Sequence, residues 1–564
     1  MLRAIRVRPT QTRWSTCLRQ VVRFESTDLG WNDIKTIRAN KWPIIKGEAT
    51  AEKTKLVKSH YLKKRLVNVV PKTGWEVSAL GYSRGGSRIH NDDWSGEMQR
   101  ACRFGCNLIQ ITIGEEFFDE NFEGNPAGFI HPHGMLHGLL MADQIDRSSM
   151  VISSKIYSHK RNCQAYSPQQ LHEMIDLSLN QMGVDTLDML TLEIPPFITE
   201  SQLAIALYHI RSEISSNRIR HLTIGSTFPF TVEGNAPSKS HPTADPSTLS
   251  FSFATLLRML KDVGLLDRFI GVQMPLNLTE CVPATKPLTT AQRALLPAEF
   301  RGAPNSTLLE SMKAGGLAIF CDRCFEGFAG SQPVRLLDLQ EKDVSDLLTR
   351  MKEAFEIARY LEDVYRRRLR PGVKIPEGHA PLPDPDSFQF GYVLPIVMMQ
   401  AGSLMVWEDL RYSTIEPSLR KGINQMAGIS EEVKKWCFSY RLATSNMLNI
   451  ITEAFRAKEI GFVKKINAEV ERLVPQYADK DMRFYYKMLD SMLSLGVTSV
   501  MTDMIHVYAN DVNPPLLSQE ECVKYLSEFK MPENDVHLIN MQDYPYVKKE
   551  TDLKSLREKG SYLD

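Results

Sequence analysis

The chain has 564 residues, enough for one large domain with insertions, and its 43% hydrophobic and 24% charged composition is typical of a globular protein. Its 68 basic and 67 acidic residues leave a formal net charge of +1, so no overall field would recruit nucleic acid or an anionic membrane. No apolar run approaches the roughly 18 residues that a membrane-spanning helix needs. Nine scattered cysteines form no disulfide framework, which favours a reducing compartment.

Residues 1–27 have the composition of a mitochondrial transit peptide. Residues 1–24 contain six arginines, and no acidic residue precedes Glu25. We therefore expect a protein of the mitochondrial matrix, with a disordered basic arm as the alternative interpretation. Residues 28–70 form a basic extension in which lysines surround Tyr61. We expect this extension to be a solvated helix face, with a surface for RNA or an acidic partner as the alternative.

From residue 71 onward, short apolar runs alternate with helical patterns. The most informative stretch is 151–196, where one apolar run ends near Lys155 and a helical pattern leads into a second run, Leu187–Ile194. This order is a strand–helix–strand unit. Its repetition predicts a parallel sheet covered by helices. Further strands are predicted at 107–113, 219–227, 269–277 and 316–324, and further helices at 203–214, 256–266 and 307–316.

The alternation breaks near residue 332. A charged and largely helical region follows, interrupted by a proline-rich linker at 371–386. A helix and a strand within 483–504 then return to the earlier pattern. The predicted organisation is a barrel-forming region at 71–332 and 476–530, a helical insertion at 333–475, and a polar tail at 531–564.

Taken in their order along the chain, these units resemble the aldo-keto reductase family, in a divergent form. The resemblance covers about residues 71–332 and 476–525. It implies a (β/α)8 TIM barrel that binds a nicotinamide cofactor, here with the large helical insertion between the seventh and eighth strands. The segments that carry it are RACRFGCNLIQ, VISSK, SLNQMGVDTLDML, IRHLTIGST, GVQMPLNL and MLSLGVTSVMTD.

The resemblance assigns four positions to the catalytic residues of the family, and this chain keeps one of them. The lysine is kept as Lys155, whereas the aspartate position is Gln110, the tyrosine position is Glu115 and the histidine position is Glu193. The family tyrosine protonates the nascent alkoxide, so its replacement implies that ordinary carbonyl reduction is lost. Gln110 carries no negative charge that would hold a buried lysine protonated.

The positions implied for cofactor binding are partly kept. Ser226 and Thr227 replace the Ser-Asn pair that holds the nicotinamide amide, and Gln273 matches the family glutamine. The phosphate grip falls on Asp503, whose carboxylate would repel an anion. We therefore expect no bound cofactor, and NADP or NAD only if the site is functional.

Two smaller signals concern metal ions. Cys321 and Cys324 form a CxxC at a strand end, which can ligate half a zinc site or act as a redox dithiol. His131, His133 and His137 lie together in HPHGMLH. The sequence has no second CxxC to complete a zinc site, and most histidines in loops do not bind metal. We therefore predict no metal site.

Two functions remain open. The first is a non-catalytic barrel that serves as a structural or regulatory subunit of a larger mitochondrial assembly, binding protein partners through the insertion and extensions. The second is an active NAD(P)H-dependent oxidoreductase with a rebuilt site. That site would use Lys155, Glu193 and a new acid, for which Glu115, Tyr82 and Tyr157 are candidates. Nucleic-acid binding has no support. We favour the first function because both the proton donor and the phosphate grip are replaced.

Overall fold

The structure is a computed structural model. Most of the polar tail and all of the predicted transit peptide lie outside the residues that it describes. None of the described helices combines the length and apolar character that crossing a bilayer demands. The described residues are 44–55, 66–83, 98, 101–114, 146–158, 166–195, 198–234, 251–330, 332–341, 345–426, 428–502 and 514–533.

Eight parallel strands close into a barrel, as predicted. The eighth of them, near the C-terminus, pairs with both the first and the seventh and so closes the sheet. The strands in chain order are β1 (Val67–Val69), β2 (Glu76–Ser78), β3 (Leu80–Ser83), β4 (Leu108–Gly114), β5 (Val151–Tyr157), β6 (Leu187–Ile194), β7 (Ile219–Ser226), β8 (Phe269–Pro275), β9 (Ala318–Asp322), β10 (Glu326–Ala329), β11 (Gln332–Arg335) and β12 (Ser499–Thr502). The barrel order is β12-β3-β4-β5-β6-β7-β8-β9.

Helices follow the barrel strands along the chain and cover the sheet. The α-helices are α1 (Ala51–Thr54), α2 (Pro168–Met182), α3 (Glu200–Ser215), α4 (Phe253–Val263), α5 (Val282–Thr285), α6 (Thr290–Leu295), α7 (Leu308–Ala314), α8 (Leu347–Val364), α9 (Phe390–Ala401), α10 (Leu404–Leu410), α11 (Glu416–Asn424), α12 (Glu431–Leu473), α13 (Pro475–Asp479), α14 (Phe484–Ser494) and α15 (Gln519–Glu528). Helix α8 continues through a π turn at Tyr365–Leu369 into Arg370–Gly372, and a second π turn at Arg411–Ile415 joins α10 to α11.

Helices α2 and α3 have clear sequence signals at their ends. The hydroxyl of Ser167 accepts the Gln170 N–H at the start of α2. Gly183 ends that helix with φ +65°, a conformation that glycine adopts without strain. Helix α3 begins with a reciprocal capping box between Thr199 and Gln202. These caps explain why the two neighbouring helices start and stop where they do.

Side-chain alternation decides which residues face the inside of the barrel. On β5, Ile152 and Ile156 belong to the core between the strands and the outer helices. Val151 instead belongs to an apolar cluster at the lower end of the barrel interior. Because successive side chains point to opposite faces of a strand, Ser153 and Lys155 also face inward. Lys155 therefore lies near the carboxyl-terminal mouth of the barrel.

The described part of the predicted basic extension packs across the opposite end of the barrel. The Ala49 N–H donates to Asp188 Oδ1 at 2.6 Å, and Trp75 Nε1 donates to the Ala49 carbonyl at 3.2 Å. Asp188 is fully buried and forms an ion pair with Arg147, at 2.9 Å. The described residues before β3 thus cover the bottom of the barrel.

The helices α8 to α13 lie between β9 and β12, so the insertion interrupts the barrel between its seventh and eighth strands, as predicted. It has an aromatic core of its own, in which neighbouring rings of Tyr365, Phe388, Trp436 and Tyr440 lie 4.8–5.5 Å apart. Helix α12 has 43 residues, about 65 Å at 1.5 Å per residue. Its C-terminal half packs Phe462 against the barrel core, which joins the insertion to the barrel.

The hairpin β10–β11 follows the seventh barrel strand and was not predicted. Its strands are antiparallel, and Gly330 lies at the turn with φ +61°. Arg335 on β11 forms an ion pair with Glu408 of α10, and its backbone N–H donates to Glu459 of α12 at 2.7 Å. The hairpin therefore connects the barrel mouth to the helical insertion.

Candidate active site

Three charged side chains meet at the barrel mouth. Lys155 of β5 lies 2.7 Å from Glu193 Oε2 at the end of β6 and 2.6 Å from Asp322 Oδ2 at the end of β9, both measured from Lys155 Nζ. The Lys155 and Glu193 side chains are each 12% exposed, and Asp322 is 22% exposed. We call these three residues the mouth triad. With one ammonium and two carboxylates, it carries a net charge of −1 when all three groups are ionised.

The mutual attraction within the triad keeps all three groups charged. Burial disfavours the Lys155 ammonium, but the charges of Asp322 and Glu193 outweigh it and raise the pKa of Lys155. Burial likewise works against both carboxylates, yet the charge of Lys155 lowers the pKa of Glu193 and that of Asp322. At neutral pH both carboxylates are therefore hydrogen-bond acceptors only, and the ammonium is a weak acid.

Gln110 lies deeper in the barrel and forms part of an uncharged hydrogen-bond layer. Its side-chain amide exchanges two hydrogen bonds with that of Gln273, at 2.9 and 3.0 Å. Gln110 also donates to the hydroxyls of Thr191 and Ser153 and accepts from Ser83. The layer satisfies these polar groups in the centre of the barrel, where burial without partners would be costly.

The sequence analysis left Lys155 without an identified counter-charge. It considered only the Gln110 position, whereas Glu193 and Asp322 supply two negative charges. Sequence reasoning missed Asp322 because it treated residues 321–324 as a cysteine motif. The available signal was the position of Asp322 at the carboxyl end of the seventh strand, where side chains from different barrel strands converge.

The family resemblance assigns Ser226, Thr227 and Gln273 to nicotinamide binding, and two of them form hydrogen bonds within the protein. Thr227 donates its hydroxyl to Glu193 Oε1 at 2.8 Å, and Ser226 is buried at the end of β7. Gln273 Nε2 donates to Gln110 and to Asp322 Oδ2, the latter at 3.3 Å. Thr227 and Gln273 therefore use these side-chain donors within the protein.

A second ion pair borders the mouth triad. Arg323 donates to Glu280 Oε1 at 2.8 Å and to the backbone carbonyl of Thr227 at 2.5 Å. Asn277 donates to the other oxygen of Glu280 at 2.7 Å. Burial raises the pKa of Glu280, although Arg323 acts in the opposite direction. These contacts fix the loop after β9 against the loops after β7 and β8, and sequence analysis did not anticipate them.

The surroundings of the CxxC pair disfavour its thiolate form. Cys321 and Cys324 are both buried and unbonded to each other. Cys321 Sγ lies 3.2 Å from the Leu276 carbonyl, and burial raises the pKa of this thiol well above its usual value. Zinc binding and thiol exchange both require the thiolate, which this environment disfavours.

The two candidate tyrosines, Tyr82 and Tyr157, lie on opposite faces of the barrel sheet. Tyr82 packs in the core between the barrel and the outer helices, so it is wrong as a candidate acid at the mouth. Tyr157 is buried two residues beyond Lys155, on the same face of β5 by alternation. The predicted positions Glu115, His131, His133, His137 and Asp503 lie outside the described residues.

A scan against protein-family models gives one match over part of the barrel. Residues 134–267 match the model described as the Aldo/keto reductase family. This segment spans β5 to α4 and contains Lys155, Glu193, Ser226 and Thr227. No curated protein sequence matches the chain significantly.

Several solved aldo-keto reductase structures resemble the chain at low identity. One from Brucella melitensis is 13% identical, over 46% of this chain and 72% of its own, with a TM-score of 0.28. One from the silkworm Bombyx mori is 14% identical, over 54% and 77%, with a TM-score of 0.31. The aldose reductase from Schistosoma japonicum is 10% identical, over 45% and 67%, with a TM-score of 0.27. At such scores we take nothing about activity from them. The likeness of this chain to the aldo/keto reductase family therefore rests on residues 134–267, which contain β5, β6 and β7.

Proposed function

We propose that this protein is a non-catalytic aldo-keto reductase barrel and a structural or regulatory subunit of a larger mitochondrial assembly. The single observation that carries the proposal is the mouth triad, in which the one retained catalytic residue, Lys155, is held by two carboxylates at 2.6 and 2.7 Å. Because two carboxylates face one ammonium, the triad has a net negative charge, which opposes ionisation of a neighbouring hydroxyl.

Electrostatics at the mouth oppose carbonyl reduction. Hydride transfer to a carbonyl places negative charge on its oxygen, which needs a proton donor or a positive environment. The mouth triad has a net charge of −1, and the lowered pKa values of Glu193 and Asp322 leave neither with a proton at neutral pH. The groups closest to Lys155 therefore disfavour the transition state that the family stabilises.

The insertion supplies a surface that suits a protein partner. Phe438 and Leu442 lie one turn apart on α12 and are 72% and 60% exposed. Large apolar side chains in adjacent positions on a helix favour burial against another protein. The arginine-rich residues 1–27 support a mitochondrial location, and the near-zero net charge offers no support for nucleic acid as the partner.

Cofactor titration tests the loss of catalysis. We expect neither NADPH nor NADH to give saturable tryptophan quenching or a thermal shift below about 100 μM, equivalent to roughly 5.5 kcal/mol of binding free energy. Thr227→Ala serves as the matched control, because it alters the groove that the family resemblance implies. Saturable binding to the wild-type protein that Thr227→Ala weakens would contradict the proposal.

Purification from mitochondria tests the assembly. We expect the full chain to elute with stoichiometric partners, and Phe438→Asp to release them because it places a charge on the exposed apolar pair. Ile205→Asp is the control, since Ile205 is also an exposed apolar residue, 50% accessible, but lies on the barrel helix α3. Elution of the wild-type chain alone, or equal loss of partners in both variants, would argue against this role.

The alternative is an active oxidoreductase with a rebuilt site, and Tyr157 is the feature that favours it. Tyr157 and Lys155 share one face of β5, so a hydroxyl lies one layer above the triad. NADPH oxidation with aldehydes or enones that is lost in Tyr157→Phe but kept in Tyr82→Phe would establish this alternative. Tyr82 is the matched control because it packs outside the barrel interior.

A further inference from the structure

Two histidines and a carboxylate meet on the outer surface of the barrel, away from its mouth. His172 and Asp176 lie one turn apart on α2, and His209 and Glu213 lie one turn apart on α3. Residues at positions i and i+4 share a helix face, so each helix presents two of these side chains toward the other. We call His172, His209 and Glu213 the helix-pair cluster.

The side-chain atoms of the cluster converge on a single oxygen. His172 Nδ1 lies 2.7 Å from Glu213 Oε1, and His209 Nε2 lies 3.0 Å from the same atom. The three potential ligand atoms all lie within 4.8 Å of one another. Tetrahedral zinc, with bonds of roughly 2.0–2.1 Å, separates its ligand atoms by about 3.4 Å, so small side-chain rotations would accommodate it.

Hydrogen bonding alone does not account for this arrangement. His209 Nε2 is buried, and no described residue forms a hydrogen bond of good geometry with it, despite its approach to Glu213. His172 Nδ1 faces both Glu213 and an Arg218 guanidinium nitrogen, the latter at 3.0 Å. A guanidinium only donates and a carboxylate only accepts, so one ring nitrogen cannot satisfy both partners.

A metal ion resolves both conflicts. It would accept lone pairs from His172 Nδ1, His209 Nε2 and Glu213 Oε1. Arg218 would stay on the other carboxylate oxygen, since its guanidinium nitrogen lies 3.0 Å from Glu213 Oε2. The carboxylate of Asp176 lies 3.7 Å from His172 Nε2, on the far side of the ring. Carboxylates in that place commonly orient a metal-bound histidine and fix its tautomer.

The charges and burial of the cluster agree with such an ion. Glu213 is only 4% exposed, and Arg218 lies against one of its oxygens, so the other oxygen, Oε1, is the one that faces the two histidines. The imidazole nitrogens and carboxylate oxygen form the ligand set that zinc and related divalent transition metals prefer.

We propose that His172, His209 and Glu213 bind a divalent transition metal of the zinc class, which links α2 to α3 on the outside of the barrel. Three protein ligands leave the fourth tetrahedral position for water. The site is independent of the mouth triad and of the proposed function. Sequence analysis predicted no metal site, because these ligands come from two helices separated by a strand.

Metal binding to the full chain tests this proposal. After chelator treatment and dialysis against Zn²⁺, we expect the wild-type protein to hold one more equivalent, measured by mass spectrometry of the metal, than His209→Ala or His172→Ala. His172 is 46% exposed, so its variant keeps the fold even if the His209 variant does not. Glu173→Gln, which changes a carboxylate of α2 outside the cluster, should keep the wild-type stoichiometry.

A second readout excludes binding by cysteines or by histidines elsewhere. Co²⁺ in place of Zn²⁺ should give weak visible bands typical of nitrogen and oxygen ligands, lost in His172→Ala and retained in Glu173→Gln. Asp176→Asn should weaken Zn²⁺ binding by about 10-fold or more through His172. Equal Zn²⁺ stoichiometry in the wild type and His172→Ala, or a Co²⁺ spectrum unchanged by that substitution, would overturn the proposal.

Discussion

Replacing Lys155 by methionine would test whether the mouth triad is a structural ion-pair site. The substitution keeps an unbranched side chain of similar length and removes only the ammonium. Glu193 and Asp322 both contact that ammonium, at 2.7 and 2.6 Å, so two nearly buried carboxylates would then face each other without a cation. Like charges in a buried site repel, and burial also disfavours each of them.

The expected loss of stability is large. Removing one partner of a buried ion pair typically costs about 3–5 kcal/mol, because the remaining charge is left uncompensated. The exposed fractions of 12–22% are small enough that solvent screening removes little of this cost. In a barrel-sized unit that loss corresponds to a melting temperature lower by roughly 6–20 °C.

The loss should depend on pH in a defined direction. In the wild-type protein, Lys155 lowers the pKa values of Glu193 and Asp322, so their contribution is present above the unfolded values and is lost as pH falls through the folded ones. In Lys155→Met the same pKa values rise, and one proton shared by the two carboxylates relieves the repulsion. The stability difference should therefore be greatest near pH 8 and narrow toward pH 5.

Thermal and urea unfolding of both proteins at pH 5 and pH 8 would measure this effect. The matched control is Lys155→Met combined with Glu193→Gln, which removes one of the two opposed charges. We expect it to recover a substantial part of the lost stability. Ion pairs on the protein surface contribute less than about 1 kcal/mol. A loss of stability within that range, or no recovery of stability in the double variant, would refute the proposed charge balance.

Two further predictions concern the insertion and the barrel wall. Burial raises the pKa of Glu362 to about 8, above its usual 4.5, so the folded state retains a proton that the unfolded state loses and stability falls between these pH values. Glu362→Gln should reduce the fall in unfolding free energy measured by urea unfolding from pH 5 to 8, and an unchanged fall would contradict this prediction. A Cβ at Gly271 would lie 2.7 Å from the Ala318 carbonyl oxygen, so Gly271→Ala should cost about 1–3 kcal/mol. Gly372→Ala, in open space, should not lower the melting temperature; equal effects of both would disprove the packing argument.

The barrel strands could be located from the sequence because their signal is local. The predicted strand at 187–194 coincides with β6, and that at 219–227 differs from β7 by one residue. Helix α2 is likewise marked by apolar spacing, Ser167 and Gly183. The hairpin β10–β11 was missed because its strands have only four residues each and lack a continuous apolar pattern.

The residues of the candidate site could be named only in part. Lys155 and Glu193 follow from their strand ends, but the role of Asp322 depends on a contact with a residue 167 positions earlier. The sequence analysis identified no counter-charge for Lys155 because it considered only the Gln110 position. A buried lysine requires negative charge, and any strand end around the mouth can supply it.

The sequence by itself determined the alternating strands and helices and the place of the insertion. Each of these depends on spacing or identity within a short segment. Only the tertiary structure decided that Lys155 is neutralised by two carboxylates and that His172, His209 and Glu213 meet across two helices. Barrel closure and helix packing bring these side chains together from distant parts of the chain. Local sequence periodicity contains no information about such distances.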